Sequence, residues 1–240
     1  MHIPLTRIQR LIGERMAKSK QSRPCFYIES KADVTELMAL RPKLSKSLGI
    51  KITSNAFFIR ALALGAKKYP IMVGSLVSCD PQEFKNSKFK IQNSKFLAIR
   101  IADAINVGFP VHAPQGLVVP VIKDANKKTL AEIAGLEKLL TEKARSNRLT
   151  LEEMEGQTIG LSNLGVYGID SFFAIPAPTT STILAIGNVL KTVVPEDHKM
   201  SMRKMISLSL AVDHKVINGN YAAEFLSFIK ERLQNPQQLI

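Results

Sequence analysis

The chain has no tryptophan, only four tyrosines and only two cysteines among 240 residues. A single-stranded nucleic-acid platform stacks bases on interleaved aromatics, and that supply is missing. Cys25 and Cys79 form neither a CxxC pair nor a group with histidine at ligand spacing. A disulfide framework and a structural zinc are therefore set aside, and a reduced interior is expected. No apolar run approaches the roughly 20 residues of a bilayer span, and Met1 to Arg7 lacks the hydrophobic core of a secretory signal, so no membrane partner is expected. Acidic side chains are in deficit too, 20 against 33 Lys and Arg, which leaves a net charge of +13. Such a balance attracts nucleic acid, acidic proteins or phosphorylated cofactors without choosing among them. The basic residues fall in small scattered clusters, Lys18/Lys20/Arg23, Lys43/Lys46/Lys51, Lys85/Lys88/Lys90 and Lys199/Arg203/Lys204, rather than one stripe. Each reads as solvated surface, and no nucleic-acid partner is expected.

What is present suits one substantial core. With 45% hydrophobic residues and no internal repeat or linker, residues 1–240 read as a single domain. Ile8, Leu11, Ile12 and Met16 mark one face of a helix over Thr6 to Lys20, stopped by Pro24. Phe26, Ile28, Ser30, Ala32 and Val34 alternate as a half-buried strand does, and Asp33 or Thr35 could cap a helix running to Leu48. The segment Ala56 to Ala66 is apolar on nearly every side and predicts a buried helix from about Ser54, closed by Tyr69-Pro70. Gly74 to Asp103 turns polar and predicts an irregular surface excursion. Strands resume at Ile105 to His112 and Leu117 to Ile122, around a Pro114-Gln115-Gly116 turn. An amphipathic helix follows over Thr129 to Arg145, then a short helical turn after Thr150 with Glu153 three residues on. Strands are expected at Thr158 to Ser162, Thr182 to Val189 and Met205 to Val212. A closing helix buries Ala222, Phe225, Leu226, Ile229 and Leu233. The expected class is α+β, a two-layer sandwich of helices on one mixed sheet.

The chemistry-bearing run is Val212-Asp213-His214-Lys215-Val216-Ile217-Asn218-Gly219, directly after the apolar stretch Ile206 to Val212. It predicts a strand that delivers a base into a turn. An imidazole is about half-protonated near neutral pH, so it can take a proton from a thiol or hydroxyl without being a strong base. A group-transfer enzyme leads on that ground. The bland alternative for His214 is a buried histidine bonded to backbone, and for Asn218-Gly219 a helix cap, a role asparagine performs as readily.

This run resembles the signature of the dihydrolipoamide acyltransferases, the core subunits of 2-oxo-acid dehydrogenase complexes, and more distantly that of chloramphenicol acetyltransferase. Three further stretches resemble the same family in the same order. Ile3 to Gln21 is similar to its opening helix, Val107-Gly108 to Ile122 to its central hairpin, and Leu161-Ser162-Asn163-Leu164-Gly165 with Gly168 to its glycine-rich turn. Ser75 to Asp103 is the least family-like part. Ser162 to Phe172 resembles the pyruvate-complex members more than the branched-chain or succinyl ones, which makes acetyl the expected group. A condensation domain of a peptide synthetase shares a related motif, but it carries a second histidine where this chain has Asp213.

The resemblance implies a chloramphenicol acetyltransferase-like homotrimer whose active sites lie at subunit interfaces and whose substrates are coenzyme A and dihydrolipoamide. It implies His214 as the base that takes the thiol proton, and Ser162, from the neighbouring subunit, as the donor to the oxyanion. Asn218 stands where aspartate is commoner, which removes a charge that would steady an imidazolium but leaves a hydrogen-bonding group to orient the histidine. Thr141, Ser162, Asn163 and Gly187 match coenzyme A contacts, whereas Leu48 and Ala63 replace polar residues that some relatives use there. His112 stands where relatives often carry an acid that helps hold coenzyme A, and His2 and His198 are expected in exposed polar segments. No metal is implied. The resemblance also implies trimers assembled into a cubic or dodecahedral core through the apolar end Leu239-Ile240, for which a frayed terminus is the alternative. Lipoyl domains, and the domain that binds the decarboxylase and dihydrolipoamide dehydrogenase subunits, are not among these residues, so the lipoyl group is expected in trans. The bacterial cytoplasm or the mitochondrial matrix is the expected compartment. A catalytically impaired core scaffold is the competing reading, motivated by Asn218.

Overall fold

The computed structural model describes residues 2–79, 96–114, 116–196 and 199–240. Its central element is β11 (Lys199–Asp213), paired along both edges. On one edge lies β1 (Cys25–Asp33), antiparallel, with Phe26 opposite Val212 and Ala32 opposite Ile206. On the other lie β9 (Thr182–Ile186) and β10 (Leu190–Glu196), both antiparallel to β11. The sheet continues through β8 (Ile159–Asn163), β4 (Val107–Gly108) and β7 (Val121–Ile122). Because β8 runs parallel to both β9 and β4 while the other pairs are antiparallel, the sheet is mixed.

One face of this sheet carries the helices. The closing helix α5 (Gly219–Gln234) lies on β1 and β11, and α3 (Ser54–Lys68) packs against it and against β8 and β4. The flanking helices are α2 (Thr35–Leu48) and α4 (Leu130–Arg145). The core they enclose holds Phe57, Phe58, Leu62, Phe225 and Ile229 together with Ile206, Leu208, Leu210 and Val212 of β11. Each such aliphatic or aromatic side chain contributes about 1.5–3 kcal/mol when fully buried. All five apolar positions expected for the closing helix are buried, as are nine residues of α3. The expected α+β sandwich is the observed one.

Several local expectations need correction. Gly74 to Asp103 is not wholly irregular: β2 (Gly74–Cys79) pairs antiparallel with β3 (Phe96–Ile101), and residues 80–95 lie outside those described. β2 alternates half-buried and exposed positions, but its apolar Leu76 and Val77 fall on both, and β3 leaves Leu97, Ile99 and Ile101 exposed, so neither sequence carries the buried two-residue period that betrays a strand. The C-terminal strand is longer than expected and β10 is additional. Its Pro195 and the exposure of Val193, Met200 and Met202 at the ribbon end again hide the period. The opening helix α1 (Arg7–Ser22) starts with a capping box between Thr6 and Gln9, but Leu11 is exposed while Ile12 and Met16 are partly covered. Helix α2 has Val34 as its N-cap. Asp33 instead accepts hydrogen bonds from the backbone N–H and hydroxyl of Thr35 at 2.8 and 2.6 Å. The chain does not end in a frayed tail, since Leu239 is fully buried beside α2, α3 and α5 while Ile240 is exposed. His198 lies outside the described residues.

One acid sits on the wrong side of α4. Glu137 shares the buried face with Leu130, Ile133, Ala134 and Leu140. Its carboxylate accepts from the Thr53 hydroxyl at 2.5 Å and from Asn55 Nδ2 at 3.2 Å, at the start of α3. Burial pushes its pKa above the ordinary glutamate value, and the two hydrogen bonds pull it back only in part. The folded state therefore holds this proton to a higher pH than the unfolded chain does. By linkage, stability is lost as pH rises from the unfolded value through the folded one. Glu137→Gln keeps the shape and removes the charge, so its thermal midpoint at pH 7.5 should exceed wild type by a few degrees, about 1 kcal/mol. That gain should shrink toward pH 4.5, and an unchanged difference across that range in scanning calorimetry would sink the assignment.

Candidate active site

β11 ends at Asp213 and the chain turns at once. The carbonyl of Asp213 accepts from the N–H groups of Val216 and Ile217 at 3.0 and 2.9 Å, and its Oδ1 accepts from the Lys215 N–H at 3.0 Å. The turn is tied to the segment before β1 at three successive positions. Arg23 Nε lies 3.5 Å from Asp213 Oδ2, the His214 N–H donates to the Pro24 carbonyl at 3.0 Å, and Lys215 Nζ donates to the Ser22 carbonyl at 2.8 Å. His214 itself is exposed, its ring set against Phe26 at 5.2 Å between centroids and tilted by 55°. The bland reading, a buried histidine, is thus excluded, because only its backbone is anchored.

Asn218 is the N-cap of α5, its side-chain oxygen accepting from the Tyr221 N–H at 2.9 Å. The capping role is therefore realised. Tyr221 in turn accepts from the Ile71 N–H at 3.2 Å through its hydroxyl, which burial holds above the usual phenol range.

Ser162, Asn163 and Gly187 are brought together, since Asn163 pairs with Ile186 across β8 and β9. Asn163 Oδ1 accepts from the Gly165 N–H at 3.0 Å. A Cβ on Gly165 would stand 2.3 Å from the Gly187 carbonyl oxygen, and one on Gly187 would stand 1.9 Å from the Asp170 carbonyl oxygen. Backbone thus meets backbone in this turn, and the structure gives both glycines a packing reason. Thr141 lies on α4, which packs on α3, β5 (Val111–Ala113) and β7, and no hydrogen bond joins it to the other three among the described residues. His112 is an exposed residue of β5, Leu48 is exposed and Ala63 is fully buried in α3.

Within one chain Ser162 and His214 do not meet. Ser162 is opposite Ala185, which is opposite Ser209, so Ser162 lies two strand spacings from β11 and five residues short of His214 along it. At ~4.8 Å per strand and ~3.3 Å per residue the separation is on the order of 20 Å. They also belong to opposite faces: Ser162 shares the face of Ser209, whereas His214 packs on Phe26, which shares the face of Val212. A cleft of about 400 Å³ lined by Ser75, Arg100, Asp103, Gln157 and Thr179 includes neither residue in its walls. No group of three His, Cys, Asp or Glu able to hold a metal ion occurs among the described residues, and none of their helices is long and apolar enough to cross a membrane.

The model of the 2-oxoacid dehydrogenases acyltransferase (catalytic domain) family matches residues 1–240. The chain belongs to that family. It is 31% identical over 241 residues to the dihydrolipoyllysine-residue acetyltransferase component of the pyruvate dehydrogenase complex of Rickettsia bellii, covering 99% of this chain and 53% of that protein. The chain thus spans about half the length of that relative. Its fold matches Azotobacter vinelandii dihydrolipoamide acetyltransferase with a TM-score of 0.86 at 28% identity, over 100% of this chain and 93% of the other. That structure belongs to an investigation of the role of one serine, one histidine and one asparagine in the enzyme's catalytic mechanism, with the serine 52 residues before the histidine and the asparagine four after it. Ser162, His214 and Asn218 have the same spacings. The cubic core of a pyruvate dehydrogenase multienzyme complex matches with a TM-score of 0.86 and 28% identity, over 100% of this chain and 93% of the other.

Arg23 and Asp213 were not singled out as functional residues from the sequence, where Arg23 is one member of a basic cluster. The signal that could have found them is the acid ending a buried strand, because a buried carboxylate needs a cation or donors. The glycine contacts are open to test. Gly187→Ala should lower stability by more than about 2 kcal/mol in urea unfolding, because the Cβ meets fixed backbone. Gly135→Ala, in the interior of α4 with nothing within 4 Å of the added carbon, should gain about 0.5–1 kcal/mol. Equal effects of the two would refute the backbone clash.

Proposed function

We propose that this domain transfers an acyl group, acetyl being the expected one, between dihydrolipoamide and coenzyme A, at a site to which two copies of the chain contribute. The observation that carries the reading is His214, exposed on a turn whose backbone is fixed at three successive residues while its imidazole is left to meet substrate. The matching serine, histidine and asparagine spacings of the Azotobacter enzyme support the same three roles here. The separation of Ser162 from His214 within one chain supports a site completed by a second copy. The homotrimer, and its assembly into a cubic or dodecahedral core, draw support from the cubic core relative. Ile240 is the terminal apolar side chain that a single chain leaves exposed for such assembly, Leu239 being held by its own chain.

The chemistry balances within the two thiols. As the attacking sulfur adds to the thioester carbonyl, its S–H proton passes to a ring nitrogen of His214. A thiol with a pKa of about 8.5 is only a few per cent ionised at neutral pH, so a contacting base of the imidazole class, about 6.5, is well matched. The oxyanion that forms accepts a hydrogen bond from the Ser162 hydroxyl of the partner subunit. Collapse breaks the other C–S bond, and the departing thiolate takes the proton back from the imidazolium. Asn218 holds the far end of the turn by capping α5. Coenzyme A is placed by Ser162 and Asn163 of β8, with Thr141 and the backbone around Gly187 as further contacts by family resemblance. The lipoyl group comes from a domain in trans, and the decarboxylase and dihydrolipoamide dehydrogenase are the expected further partners.

The test is acyl transfer from acetyl-, isobutyryl- and succinyl-coenzyme A to dihydrolipoamide, read together with particle mass. Acetyl should transfer fastest, with a rate that climbs as the histidine loses its proton. His214→Ala should cost about 100- to 10,000-fold in kcat, and Ser162→Ala about 100- to 1,000-fold. Wild-type turnover in His214→Ala removes the proposed base. Assembled particles with no transfer from any donor would favour the scaffold instead.

A further inference from the structure

Arg23 joins the end of β11 to the loop before β9. Its side chain is 13% exposed and that of Asp213 is 6% exposed, with the ion pair between them at 3.5 Å. The other guanidinium nitrogens point away from Asp213. Nη1 donates to the carbonyls of Ala177 and Thr180, each at 2.5 Å, and Nη2 donates to the carbonyl of Pro178. The loop so gripped is fastened at both ends. The hydroxyl of Ser19, fully buried on α1, donates to the Pro176 carbonyl at 2.6 Å, and the Ser181 carbonyl accepts from the Asp213 N–H at 2.8 Å. The end of α1, the 176–181 loop and the His214 turn are therefore one hydrogen-bonded unit with a guanidinium at its centre.

We propose that Arg23 is a positioning residue for His214, acting through Asp213 and the 176–181 loop and touching no substrate itself. This rests on the acyltransferase reading above. Two features of the geometry select an arginine. A carboxylate this buried must be met by a cation or by donors, and the Lys215 N–H meets only one of its oxygens. A planar fork with five donors can face a carboxylate and three carbonyls at once, which an ammonium on a flexible stem cannot. The effect on catalysis follows from where His214 begins, since its N–H bonds to Pro24, the residue after Arg23. Displacement of Arg23 moves the floor on which the imidazole stands, and a misplacement of about 1 Å can cost on the order of 100-fold in rate.

The experiment compares wild type, Arg23→Lys and Arg23→Ala in acetyl transfer, with and without added guanidinium ion at concentrations too low to unfold the protein. Both variants should lose about 10- to 100-fold in kcat while KM for acetyl-coenzyme A changes less than about threefold. Guanidinium should restore part of the kcat of Arg23→Ala, saturably, and none of that of His214→Ala. Amide hydrogen exchange at His214, Val216 and Ile217 should quicken at least about tenfold in Arg23→Lys, and it reads the turn without turnover. Folded variants with wild-type kcat, a loss confined to KM, or unchanged exchange would each overturn the proposal. If Arg23→Ala does not fold, Arg23→Lys and the pair Arg23→Met with Asp213→Asn, which leaves no buried unpaired charge, carry the same readouts. Wild-type protein that transfers no acyl group overturns the acyltransferase reading alone, and the exchange measurement then decides the role of Arg23.

Discussion

The molecule depends on β11 being buried on both faces over its last eight residues, Ile206 to Asp213. Such a strand must offer two different surfaces. Ile206, Leu208, Leu210 and Val212 point into the helix layer and supply large aliphatic volume. Ser207, Ser209, Ala211 and Asp213 point the other way, and all four are small or polar and buried. Because each face is satisfied only in one register, a one-residue slip would put serines into the core and leucines against the loops. The same fixed register decides where the strand runs out, and hence where Asp213 and His214 stand.

Much of this was legible in the chain because it is written as periods. The three-to-four-residue spacing of Ala222, Phe225, Leu226, Ile229 and Leu233, and the alternation from Phe26 to Val34, each reflect one buried face, and both elements formed as expected. The cap at Thr150 was equally readable, since Glu153 stands three residues on and the two make the reciprocal bonds; Thr6 with Gln9 and Thr129 with Glu132 make the same box. What escaped has no buried face to write. β2, β3 and the ribbon half of β10 and β11 are held by backbone pairing and leave Leu76, Ile99, Val193 and Met202 exposed, so these apolar residues give no buried period. Glu137 escaped for the converse reason. It occupies a core position of a well-formed helical period, and its partners Thr53 and Asn55 lie some 80 residues earlier in the chain.

The candidate site shows the same division. His214 stood out because its neighbours form a compact motif, and the structure confirms the strand and turn around it. Ser162 could be matched to a role but not to a place, since no local pattern says that it will face away from His214 two strands over. Asp213 announces that a cation is needed, but not that Arg23 supplies it, because the partners of Arg23 are backbone carbonyls at 177, 178 and 180 and a carboxylate at 213, a set assembled only by the tertiary fold.

Asn218 raises the question of what steadies the histidine when it holds a proton. An acid at that position would supply charge, and an amide does not. The other acid of the turn, Asp213, is already engaged by Arg23 and the Lys215 N–H, and it ends the strand on the face opposite that of Phe26. The group set against the imidazole is the Phe26 ring, 5.2 Å away, within the range at which an aromatic quadrupole attracts a cation. That attraction is worth about 0.5–1 kcal/mol at an exposed site, less than a buried carboxylate would give. In the proposed mechanism a weak partner suits such a base, because an imidazolium held too well would be a poorer acid toward a departing thiolate. The side-chain oxygen of Asn218 is spent on the cap of α5 instead, a role an aspartate would fill equally well, so what the amide changes here is charge and not anchoring.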